Sequence, residues 1–95
     1  MSKLNGLISI ARKAGFCVIG QDNLKGFDKK LHLIVLDKSA GDSLVREMTF
    51  LSNKKNCSLL TVDGLEEVTA IKNCKVIGIK NKDLSEMIEK EIKGE

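Results

Sequence analysis

The spacing of the apolar positions changes repeatedly along this 95-residue chain, and each change predicts a helix or a strand. In residues 3–14 apolar side chains recur every three or four positions, which predicts an amphipathic helix. Gly15 is well placed to end that helix with a left-handed cap. The short apolar run 16–19 predicts a strand, and residues 21–29 predict a second helix.

The alternation continues through the middle of the chain. Residues 31–36 are apolar apart from His32, and their β-branched character predicts a strand covered on both faces. Residues 42–56 predict a helix, and residues 57–62 predict another strand. The apolar stripe of this third helix comprises Leu44, Val45, Met48 and Leu51.

Three further elements complete the pattern. Asp63 and Glu66 have the spacing of an acidic capping box, which predicts that a short helix begins there. Residues 75–79 predict the last strand, and Asn81 is expected to begin a final helix. The apolar stripe of that helix comprises Leu84, Met87, Ile88 and Ile92.

Helix and strand therefore alternate strictly, with five helices and four strands. This order favours a parallel or mixed sheet with helices on both faces, that is, an α/β fold in three α/β/α layers. Connections are short and no composition break divides the chain, so residues 1–95 are expected to form a single domain.

Composition narrows the classes of function. No apolar run reaches the roughly 18 residues that a membrane span needs, and the chain opens without a signal-peptide pattern. We therefore expect a cytoplasmic protein that does not contact membranes. Cys17, Cys57 and Cys74 are widely spaced and include no C-x-x-C pair, so we interpret them as small core residues of a reducing compartment rather than metal ligands. No metal or cofactor is expected.

Signatures of enzymes are absent from the sequence. There is no P-loop and no G-x-G-x-x-G fingerprint. His32, within a strand, and Cys17, beside a helix start, are the two residues that would support a small enzyme, and we interpret both as packing residues. We therefore expect a protein that is not an enzyme.

Charge and aromatic content bear on nucleic-acid binding. Residues 1–30 carry six basic against two acidic side chains, whereas residues 81–95 carry three basic against five acidic. A polyanion would prefer the first segment. With Phe16, Phe27 and Phe50 as the only aromatic residues, base stacking on an aromatic sheet is not expected. Contacts would instead use backbone amides, short polar groups and lysines.

The stretch GQDNLKG, residues 20–26, concentrates polar groups where a strand passes into a helix. One interpretation is ordinary helix capping. The other is a ligand site, because a helix start exposes unpaired N–H groups and Gly20 permits close approach of a ligand to the backbone.

A resemblance favours the ligand site. The segments LISIARKAG and VIGQDN, followed by LIVLDKSAGD, resemble the kink-turn RNA-binding family of large-subunit ribosomal proteins, and are nearest to its small bacterial relatives. The similarity covers about residues 4–79. It implies an α/β/α sandwich around a mixed four-stranded sheet. It also implies that RNA is held by the start of the second helix and by the loop before the last strand.

On this basis we expect a non-enzymatic RNA-binding protein that recognises kink-turn-like ribosomal or regulatory RNA and is associated with the ribosome. In relatives the second helix enters a widened groove at sheared G·A pairs, and an apolar loop residue packs on a flipped-out base. The residues expected to contact RNA are Arg12, Lys13, Gly20, Gln21, Asp22, Asn23, Lys25, Lys29, Ile71 and Lys72.

Three positions depart from the family pattern. Asp22 stands where an amide or lysine is usual, Gly26 stands at the family's lysine position, and Glu66 follows Leu65 where the family has glycine. These departures bear on RNA specificity rather than on the fold. The alternative is therefore a protein-interaction domain that kept the sandwich, lost RNA binding and contacts a protein partner through its C-terminal helix.

Overall fold

The computed structural model describes residues 2–94, and the predicted order of elements is confirmed. The elements are α1 (Ser2–Lys13), β1 (Cys17–Ile19), α2 (Gln21–Lys25), β2 (Leu33–Asp37), α3 (Asp42–Lys55), β3 (Ser58–Val62), α4 (Leu65–Thr69), β4 (Val76–Ile79) and α5 (Lys82–Lys93). No helix in this range is long and apolar enough to cross a membrane.

The four strands form one mixed sheet in the order β1-β4-β2-β3. Strand β4 pairs antiparallel with both β1 and β2, and β3 pairs parallel with β2. The two central strands, β2 and β4, are buried along their whole length, as their continuous apolar runs predict for strands covered on both faces.

Two helical layers enclose this sheet, so the fold is a three-layer α/β/α sandwich. Helices α1, α4 and α5 pack on one face, where Ile8, Leu65 and Ile88 are fully buried against β2 and β4. Helices α2 and α3 pack on the other face through Leu24 and Met48.

A glycine in β4 sets how closely α2 approaches the sheet. A Cβ atom at Gly78 would lie 2.4 Å from Leu24 Cδ2 and 3.2 Å from Leu31 Cδ2. Both leucines are fully buried, so neither can move aside freely. The missing side chain of Gly78 therefore lets α2 lie against the sheet.

Several helix ends differ from prediction. Helix α2 ends at Lys25 rather than near residue 29, with Gly26 as its C-cap. Beyond it, Lys55 on α3 donates hydrogen bonds to the carbonyls of Phe27 (2.8 Å) and Lys29 (2.6 Å). The prediction that Asp63 and Glu66 form a capping box at the start of α4 is also wrong. Helix α4 has Gly64 as its N-cap, with φ 77° and no side-chain cap bond.

Two other predicted ends are confirmed. Gly15 adopts a left-handed conformation with φ 79° after α1. The Asn81 side chain caps α5 by accepting a hydrogen bond of 2.9 Å from the Leu84 N–H. Both residue types are favoured at these positions for conformational or hydrogen-bonding reasons.

The prediction that Met87 and Val45 belong to the buried apolar stripes is wrong. Met87 is 49% exposed and Val45 is 38% exposed. Successive residues on a helix are separated by about 100°. Because Ile88 and Leu44 are directed toward the core, the neighbouring Met87 and Val45 turn away from it.

Candidate nucleic-acid interface

Gly20 forms an open backbone corner between β1 and α2. Its N–H donates to the Val76 carbonyl (3.0 Å), and its carbonyl accepts from the Leu24 N–H (3.1 Å). Its φ of 89° and ψ of 153° lie where side chains are rarely tolerated, while a Cβ would meet nothing within 4 Å. The corner therefore needs glycine for its conformation, and its outer side faces open space.

The second predicted contact segment lies beside this corner. Val76, the partner of Gly20, begins β4, so loop 70–75 leads directly to the corner. Ala70 and Asn73 both have φ of 61°, which bends the loop sharply. Within it Ile71 is half-buried and Lys72 is exposed. We call this side of the sheet, where β1, β2 and β3 end and β4 begins, the tip edge.

The polar side chains of α2 already have protein partners. Gln21 Nε2 donates to Glu47 Oε1 (3.2 Å), and Lys25 Nζ lies 3.2 Å from the same carboxylate. Asn23 Nδ2 donates to the Ile19 carbonyl (2.7 Å). Asp22 is exposed. Sequence reasoning missed Glu47, because no local pattern links residues on α2 and α3.

The predicted basic residues are dispersed. The Arg12 guanidinium donates to the Thr69 carbonyl at 2.5 Å and so holds the end of α4, directly before loop 70–75. Lys13 ends α1, next to the turn whose Phe16 carbonyl accepts from the Lys80 N–H (2.8 Å) at the opposite edge of the sheet. Lys29 also lies at that opposite edge. Neither Lys13 nor Lys29 is gathered at the tip edge.

The tip edge carries more carboxylates than ammonium groups. A groove of about 490 Å³ lies there between the end of β2 and the start of α4. The acidic residues along this edge are Asp22, Asp37, Asp42, Asp63, Glu66 and Glu67, and the basic residues are Lys38, Lys72 and Lys75. The excess of carboxylates makes this edge electrostatically unfavourable for a polyanion at long range.

Asp37 connects three segments of this edge. Its buried carboxylate accepts from the Ser39 hydroxyl and the Ser39 N–H (2.9 Å), and from the Leu65 N–H (2.7 Å). Lys75 lies 3.9 Å away and donates to the Ser39 hydroxyl (2.6 Å). The Ser39 hydroxyl, the Leu65 and Ser39 amides and the Lys75 charge outweigh burial and lower the pKa of Asp37 to about 2. The charged form is thus part of the fold.

The residues considered for catalysis have packing environments. All three cysteines are free thiols. Cys74 is buried, and Cys17 and Cys57 are half-buried. Burial, reinforced by the neighbouring Cys74, raises the pKa of Cys17 to about 11, which lowers the thiolate fraction at neutral pH. His32 is half-buried, and its backbone N–H bonds the Ile79 carbonyl (2.9 Å). Residues 2–94 hold no group of three or more potential metal ligands.

Comparison with known proteins bears on the fold. No protein-family model and no curated protein match the sequence. Among solved structures, the chain is similar to a protein with unknown function from Bacillus halodurans, with a TM-score of 0.86 and 18% identity over 98% of this chain and 99% of that one. At this identity the similarity shows the fold alone.

Proposed function

We propose that the protein is a non-enzymatic RNA-binding protein of the cytoplasm that holds kink-turn-like structured RNA at the tip edge. The observation that carries this proposal is the open corner at Gly20. The side of Gly20 on which a side chain would stand faces open space, and the corner lies beside loop 70–75. The resemblance to the kink-turn family assigns RNA contacts to these same two segments.

The proposed contacts follow from the groups available at the corner. Gly20 lets RNA approach the backbone. The side-chain Nδ2 of Asn23 is bonded to the Ile19 carbonyl, and its side-chain oxygen, Oδ1, can accept hydrogen bonds from RNA. Asp22 would accept hydrogen bonds from guanine N–H groups, because a carboxylate offers acceptors only. Ile71 would pack on an unstacked base and Lys72 would contact phosphate. Arg12 would act indirectly by holding the loop.

A gel-shift titration against a kink-turn RNA and a plain RNA duplex tests the proposal. Gly20→Glu should abolish the preference for the kink-turn, since it places a bulky anion at the corner. Two variants separate the causes of that loss. Gly20→Ala introduces the backbone strain without the charge, and Gly6→Glu introduces the charge at an exposed helical position with open space around it. Equal, weak and salt-insensitive binding of the parent to both RNAs would refute the proposal.

A protein-interaction domain is the second candidate. It is favoured by the exposure of Met87 (49%) on α5 and of Ile10 (55%) on α1, in the same helical layer. Single exposed apolar residues are common, so the decisive measurement is the oligomeric state or partner capture. A stable dimer by light scattering that Met87→Glu dissociates, together with no RNA binding, would establish this candidate.

A further inference from the structure

Phe50 presents its ring to solvent on α3, about two turns after this helix begins at the tip edge. It is 70% exposed, the highest value among the exposed large apolar residues of 2–94. Arg46 and Lys54, both exposed, lie one turn before and one turn after it, so the three side chains share one face. They form a basic and aromatic stripe about 12 Å long on the helix surface.

A shallow groove accompanies this stripe. It has a volume of about 500 Å³ and is lined by Lys25, Arg46, Glu47, Phe50, Leu51 and Lys54. Its one carboxylate, Glu47, is paired with Lys25 and bonded by Gln21. Arg46 and Lys54 therefore leave the groove positively charged around an exposed ring.

Lys54 lines this groove and also borders a larger basic surface. We call the side of the sheet where β4 ends and β2 and β3 begin the lysine edge. There the Lys55 and Lys80 ammonium groups lie 5.6 Å and 5.5 Å from the centre of the Phe27 ring. The lysines along this edge are Lys13, Lys29, Lys30, Lys54, Lys55, Lys80 and Lys82, against Asp28 and Asp83. The positive charge of the molecule is thus concentrated opposite the acidic tip edge.

We propose that the α3 stripe and the lysine edge form a second binding surface, for single-stranded RNA. One base stacks on Phe50, while Arg46 and Lys54 contact the phosphates on either side of it. The lysine edge binds the RNA backbone beyond these phosphates. Stacking on an exposed aromatic ring tolerates any base, and the cation excess supplies attraction for the phosphates. The choice of RNA rests on the proposed function. The surface does not include Gly20, although Lys25 and Glu47 lie between the groove and the Gly20 corner.

Binding of an oligouridylate of about 12 nucleotides, followed by fluorescence anisotropy at low salt, tests this surface. Phe50→Ala should weaken binding by about 5- to 150-fold, and Val45→Ala, an exposed neighbour on α3, should not. The chain has no tryptophan, so Phe50→Trp supplies a single reporter. It should retain binding, and its emission should be quenched by the stacked base.

The contribution of the lysine edge is tested by a charge-reversal pair. Lys29→Glu with Lys54→Glu should weaken oligouridylate binding and reduce the slope of log K against log salt by about 1.4, two phosphates at roughly 0.7 each. Lys3→Glu with Lys90→Glu changes the net charge equally on the α1 and α5 surfaces, and should have a smaller effect.

Several results would overturn this inference: no oligouridylate binding by the parent, equal affinities for Phe50→Ala and Val45→Ala, or a Phe50-dependent dimer in place of RNA binding. Gly20→Glu separates the two proposals. If it loses kink-turn preference while oligouridylate binding persists, both stand. If the parent binds oligouridylate without preferring the kink-turn, the proposed function fails and this surface remains.

Discussion

The Asp37 carboxylate accepts a hydrogen bond of 2.7 Å from the backbone N–H of Leu65, the first residue of α4. Asp37 ends β2, so a strand in the centre of the sheet satisfies the start of a helix 28 residues later. This bond, with those from Ser39, fixes the end of β2 relative to α4, and Lys75 adds the loop that leads to Gly20. The tip edge is therefore held by one buried charge.

Asp37→Asn should lower the free energy of unfolding by about 1–3 kcal/mol, because it removes a charge that several donors stabilise. Urea unfolding followed by circular dichroism measures the change. Asp63→Asn, at an exposed position on the same edge, should have a much smaller effect. Similar losses for both variants would mean that Asp37 is not the group that holds this edge.

The lowered pKa of Asp37 predicts an acid-sensitive stability. Its pKa falls from 3.8 to about 2 on folding, so its contribution is fully present above about pH 4 and is lost as the pH falls toward 2. The contribution is on the order of 2 kcal/mol. Unfolding free energies measured from pH 6 to pH 2 should show this loss in the parent. Asp37→Asn should lack that component, and a parallel pH profile for both proteins would contradict it.

Gly78→Ala should destabilise the fold by about 1–3 kcal/mol, because the new methyl group would overlap Leu24 in a filled core. The shift in urea midpoint measures this effect. Gly6→Ala is the matched control, since it adds the same methyl group to an exposed helical position. It should be neutral or stabilising. A neutral Gly78→Ala would show that α2 can move away from the sheet without cost.

Removing the Arg12 side chain should loosen loop 70–75 more than the rest of the fold. Its guanidinium bonds the Thr69 carbonyl, which is the end of α4. In Arg12→Ala, amide hydrogen exchange at Ile71 and Cys74 should accelerate, while exchange in β2 should change less. Lys13→Ala, one position on, provides the comparison. Equal acceleration throughout the molecule would indicate general destabilisation instead.

The order of elements followed from the sequence because each period of apolar residues matched one helix or strand, and β2 and β4 carried continuous apolar runs. The helix ends were harder to predict wherever a distant residue decides them. Lys55 bonds the carbonyls of Phe27 and Lys29 in the segment after α2, and Asp37, instead of the expected capping box, accepts from the first N–H of α4. Neither pairing has a local signal.

The same limit applies to the candidate site. Gly20 was proposed because a glycine between a strand and a helix is visible in sequence, and its positive φ shows that the corner needs glycine for its conformation. The pairing of Gln21 and Lys25 with Glu47, and the placement of Lys29 at the other edge, depend on how α2 and α3 pack. Phe50 lies two positions after Met48, so helical spacing places it away from the core-facing side of α3. The groove beside it depends on how α2 and α3 pack and has no local signal.

Glu47 provides the sharpest test of RNA binding at Gly20. Its carboxylate holds Gln21 and Lys25 and places a negative charge beside the corner. Glu47→Gln should remove that charge and release the Lys25 ammonium, so affinity for a kink-turn RNA should rise several-fold at low salt. Glu86→Gln, an exposed change of the same charge on α5, controls for net charge. If both variants raise affinity equally, the effect reflects total charge and the RNA does not contact α2. If only Glu47→Gln does so, and Gly20→Glu cancels the gain, RNA lies against the start of α2.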